Sequence, residues 1–70
     1  MRSETREVLL KAYAQLQLII DELYSAHDKA VANNHDDDAS FIVSRADILF
    51  EEAENLNIII SEMEITNENS

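Results

Sequence analysis

Leu9, Tyr13, Leu16, Ile20, Leu23, His27 and Ala30 succeed one another at alternating steps of four and three, and Ile42, Ala46, Leu49, Ala53, Leu56, Ile60 and Met63 repeat the pattern in the second half. A seven-residue apolar repeat marks a helix packed along its length against another. None of the 70 residues is Gly or Pro, although average usage would supply about five of the first and three or four of the second. Tight hairpins, bulges and phosphate-cradling loops depend on those residues. Sheet folds and Gly-rich nucleotide loops are therefore excluded, and an all-α chain remains. At this length it is one unit, with no room for a second domain, a large enclosed pocket or a multi-step active site.

The repeats place the first helix at about residues 4–32 and the second at about 39–65. Between them, residues 33–38 have no apolar spacing. Asn33 or Asn34 supplies the left-handed C-cap usually given to Gly, and Asp36, Asp37 and Asp38 supply an N-cap and partners for the helix dipole. Ser3 is the expected N-cap of the first helix, and the tail 66–70 is expected to fray. A loop of about five to seven residues joins two such helices side by side and antiparallel. Positions whose numbers sum to about 71 then lie level, Leu23 near Leu49, Leu16 near Leu56 and Leu9 near Met63, while Ala46 and Ala53 allow close approach between the larger layers.

One hairpin is not expected to suffice. The apolar arc of the first helix runs from Val8 and Ala26 through Leu16 and Leu9 to Tyr24, about 160° on a helical wheel, with Leu10 beyond it, and one partner helix covers a narrower stripe. The apolar burial open to a lone hairpin also falls well short of the entropy of ordering its residues. Two hairpins related by a two-fold axis, closing into a four-helix bundle, answer both demands. The expected homodimer interface comprises Leu9, Tyr13, Leu16, Ile20, Leu23, Arg45, Leu49, Glu52, Leu56, Ile59 and Met63. Arg45 and Glu52 stand out because they lie amid Phe41, Ile48, Ile59 and Met63 in an otherwise apolar arc. Seven residues, about 10 Å of helix, are too many for a bond within one helix, so a reciprocal Arg45–Glu52 pair between copies is expected to fix register. The alternative is that both side chains snorkel to water at the rim.

Catalytic and metal chemistry find little support. His27, His35 and the Asp36–Asp38 run are ion-binding residue types, but no HExxH, calcium-loop or Glu-x-x-His spacing is present, so capping and core-edge roles are the expectation. Paired carboxylates such as Glu51 with Glu52, or Glu62 with Glu64, could work as acid and base only in a concave, desolvated site that a slender bundle lacks. The absence of Cys removes disulfides, thiolate zinc sites and a cysteine nucleophile. No enzyme activity, cofactor or metal is expected.

Charge gives the functional reading. Fifteen acids against five bases leave −10, which repels a nucleic-acid backbone. No Lys or Arg follows Arg45, whereas Arg2, Arg6 and Lys11 lie where the hairpin brings them against the acidic end of the second helix. Val43 and Phe50, seven apart, sit among Asp47, Glu51 and Glu54, and these five residues are the expected site for a basic protein partner. The alternative is that Val43 and Phe50 widen the bundle interface or are scattered exposed apolar residues, as with Leu18, Ile58 and Ile65. In size and charge, though in no motif, the chain is similar to the small acidic accessory proteins of phages and plasmids. The function expected is a non-enzymatic interaction protein that modulates a basic, nucleic-acid-binding or other, protein. A structural or chaperone-like subunit completing a larger helical assembly is the second reading, and a DNA mimic whose carboxylates imitate phosphates is the third. The longest apolar run, Leu18-Ile19-Ile20, is too short for a signal peptide or a membrane span, so a cytoplasmic location is expected.

Overall fold

The computed structural model describes residues 2–69, with the side chains of residues 2–62. It is two helices, α1 (Ser3–Ala32) and α2 (Asp36–Asn69), packed against each other as an antiparallel hairpin. Every described member of the two apolar repeats is buried or half-buried: Ile20, Ala30, Ala46, Ala53 and Ile60 are buried, and Leu9, Tyr13, Leu16, Leu23, His27, Ile42, Leu49 and Leu56 lie half-buried at the seam. Met63 belongs to the second repeat, but its side chain lies outside the described residues, as do those of Glu64, Ile65 and Glu68.

The connection is shorter than expected. It consists of residues 33–35 alone, because α2 starts at Asp36, three residues before the expected 39, and runs to Asn69 rather than 65. The three aspartates lack apolar spacing and so resemble loop, yet in the first turn they face the positive end of the helix dipole, where carboxylates stabilise a helix. Asn34 takes the left-handed conformation at φ 63°. Around it, the His35 N–H donates to the Ala30 carbonyl at 2.8 Å and the Asn34 N–H to the Val31 carbonyl at 3.1 Å. This is the double bond pattern that closes a helix on a left-handed residue, satisfying two orphan carbonyls. The Asn33 side-chain amide adds a third bond, to the Lys29 carbonyl at 3.0 Å. His35 then accepts from the Ala39 N–H at 2.9 Å, so it both follows α1 and opens α2. At the other end, Arg2 rather than Ser3 is the N-cap, with extended backbone and no side-chain cap bond.

Packing is tight but thin. Ala39, Ala46, Ala53 and Ile60 recur every seven residues and are all buried, so α2 turns a mostly small stripe toward α1. Small residues let the helix axes approach closely, but each alanine methyl removes little apolar surface from water, worth under about 1 kcal/mol. No large side chain is completely enclosed among the described residues. The Cα atoms span 55 × 15 × 11 Å with a radius of gyration of 16.0 Å, against about 11 Å for a globular chain of this length. No helix among the described residues is long and apolar enough to cross a membrane.

Candidate protein-interaction site

Since the hairpin is one layer of two helices, it has two broad flanks, and the helical repeat assigns residues to each. Taking Ile20 and Ala53 as the direction of the seam, 100° per residue places Val8, Ala12, Gln15, Ile19 and Ala26 of α1 on the same side as Phe41, Arg45, Ile48, Glu52, Asn55 and Ile59 of α2. The opposite side takes Leu10, Gln17, Asp21, Tyr24 and Asp28 of α1, with Val43, Asp47, Phe50, Glu54 and Asn57 of α2. One bond ties this second set together across the helices: the Tyr24 hydroxyl donates to Oδ1 of Asp47 at 2.8 Å. These numbers sum to 71, so the bond also records the register, in which Phe50 lies level with Asp21 and Val43 with Asp28.

The two flanks differ in charge. The first carries Arg45 and Glu52, opposite in sign and seven residues apart, in a field of exposed apolar side chains, Val8, Ile19, Phe41, Ile48 and Ile59, with Asp38 exposed on the same side at the turn end. The Arg45 guanidinium lies over the Phe41 ring, 5.4 Å from its centroid, a cation–π contact that holds the arginine along its own helix rather than out in water. The second flank carries Asp21, Asp28, Asp47 and Glu54, with one base, Arg6, a turn before Leu10 at the open end of the hairpin. Its apolar members are Leu10 and Phe50, both exposed, and Val43, half-buried. The Tyr24 proton is held by its bond to Asp47, with some desolvation and the carboxylate's negative charge acting in the same direction, so the hydroxyl titrates above its ordinary value near 10.

The expected site residues thus fall into three places. Leu9, Tyr13, Leu16, Ile20, Leu23, Leu49 and Leu56 line the seam within the hairpin; Arg45, Glu52 and Ile59 are exposed on the first flank; Val43, Asp47, Phe50 and Glu54 are on the second, while Glu51 points to the back of α2. Tyr24 was not among the expected partner residues. Its signal was present in the register, since a tyrosine level with an aspartate on one flank is within hydrogen-bonding reach. Ile48 and Phe41 belong to a second four-three stepping, 41-45-48-52-55-59, which the alternation of charged and apolar residues obscures. At the turn end, Nδ1 of His27 lies 3.2 Å from Oδ1 of its neighbour Asp28. Among the described residues, no three His, Asp or Glu side chains come together as a metal-binding group.

No protein-family model, no curated protein sequence and no solved structure matches the chain.

Proposed function

We propose that this chain is a non-enzymatic interaction protein: a helical hairpin that assembles as a homodimeric four-helix bundle and presents its acidic flank to a basic protein, in the cytoplasm. The observation that carries the reading is the separation of charge between the flanks. Asp21, Asp28, Asp47 and Glu54 surround Phe50 and Val43, with Arg6 set apart at the open end beside Leu10. A surface combining an exposed aromatic with a strong excess of one sign of charge recognises a partner of the opposite sign, steering it in and then anchoring it. A body 11 Å thick across its Cα atoms also supports a surface role, since catalysis requires a desolvated cleft.

The test is capture from the native host on the tagged chain, followed by a salt series. A basic protein retained by the wild type should be released as ionic strength rises, lost on Phe50→Ala or Asp47→Lys, and kept on Ile48→Ala. Retention by all three variants would remove the acidic flank from consideration. The exposed Leu18 on the back of α1 and Ile58 on the back of α2 favour the structural-subunit reading as the second choice. It gains ground if the captured partner is helical, uncharged and held independently of salt.

A further inference from the structure

We infer that the first flank is where two copies of this chain meet, stacked flank to flank about a two-fold axis across the hairpin's width, with α2 antiparallel to its symmetry mate and Arg45 of each copy facing Glu52 of the other. The inference rests on the homodimer reading above and specifies its interface. Surface area supplies the first argument. A compact monomer of 8.0 kDa exposes about 4,500 Å², whereas this chain exposes 5342 Å². The excess is on the order of 900 Å², close to the roughly 800 Å² per partner buried in a stable protein–protein interface. A flank 55 Å long and 15 Å wide offers about that area.

Which flank, and which occupant, follow from charge. Stacking the acidic flank on itself would bring Asp21, Asp28, Asp47 and Glu54 against their own copies with Arg6, at the open end, as the one base to offset four acids. The first flank is self-complementary. A two-fold axis crossing α2 between Ile48 and Leu49 brings Arg45 level with Glu52 of the other copy, so two opposite-sign pairs form from one set of residues. Any other partner would need both a matching charge pair and matching apolar side chains. A second copy has both by symmetry. Ile48, half-exposed in the hairpin, then lies beside the axis near its own counterpart. The Arg45 stack on Phe41 pre-positions the guanidinium, lowering the ordering entropy of the pair.

The absence of native cysteine gives a direct test, because the disulfide formed by a single-Cys variant can only join two copies. In full-length protein under mild oxidation, Ile48→Cys should become a covalent dimer rapidly, and Phe50→Cys, on the other flank, at least about tenfold more slowly. Sedimentation of the wild type, of Glu52→Arg and of Arg45→Glu/Glu52→Arg completes the set. The single change should weaken dimerisation about a hundredfold by setting arginine against arginine, and the double change should recover most of it. A wild type that sediments as a monomer overturns the homodimer reading together with this interface. A wild-type dimer in which Phe50→Cys crosslinks as fast as Ile48→Cys, or in which the double reversal fails to recover association, overturns this interface alone.

Discussion

The two flanks of the hairpin are built on one seam, yet the first exposes Val8, Ile19, Phe41, Ile48 and Ile59, and the second exposes Leu10 and Phe50 with Val43 half-buried. On one, a single arginine and a single glutamate balance each other, and the apolar residues recur in four-three steps on α2. On the other, carboxylates alternate with Leu10, Val43 and Phe50, and a polar bond crosses between the helices, from Tyr24 to Asp47. Apolar exposure and charge thus differ together between the flanks. In the function we propose, the more apolar, charge-balanced flank accepts its own copy, and the acidic flank repels it and attracts a basic protein.

The sharpest way to break the contrast is Ile48→Ala. A two-fold interface loses the side chain twice, so dimerisation should weaken by about 2–4 kcal/mol, measured by sedimentation equilibrium, while Phe50→Ala should leave it within about 0.5 kcal/mol. Next in size is Ala53→Leu. Ala53 has no exposed surface, and a larger side chain there would push the helices apart and disturb both flanks at once, costing about 1–3 kcal/mol in thermal or urea unfolding. Asn34→Gly should act in the opposite sense, stabilising the hairpin by up to about 1 kcal/mol through the left-handed position alone, without changing the preference of either flank.

The smallest effect sharpens the acidic side. In a Tyr13→Phe background, ultraviolet titration should place the Tyr24 hydroxyl above its ordinary value near 10, and Asp47→Asn should bring it back down. The folded value is raised, so the protonated hydroxyl and its bond contribute fully below the unfolded value near 10. That contribution is lost as pH rises through the higher folded value. At neutral pH this bond should be intact.

Much of the fold is legible in the residues, and the reason is physical. The four-three stepping of Leu9 to Ala30 and of Ile42 to Ile60 reads directly as two seams, because burial along a helix leaves few other solutions. Asn34 is legible as the turn because so few residues accept a left-handed backbone. Asp36 to Asp38 misled, since a carboxylate beside a turn is equally suited to loop and to the first turn of a helix, and only the tertiary contact of buried Ala39 decides between them. The flanks were harder still. Val43, Asp47 and Phe50 read as a site on the second helix alone, whereas the structure brings α1 beside them, where Tyr24 reaches Asp47. A helical wheel of one helix cannot supply that neighbour; it takes both wheels and the level at which they meet.

His35 ends one helix's hydrogen bonding and begins the next, leaving no spare length in the bend. Whatever alignment the seam has at its far end is dictated here, where neither helix can slide past the other. An extra residue in this corner would rotate all of α2 by about a quarter-turn or more, carrying the arginine and glutamate off their flank and the phenylalanine off its own. The corner thus acts as the gauge for both faces, which are correctly aimed only together.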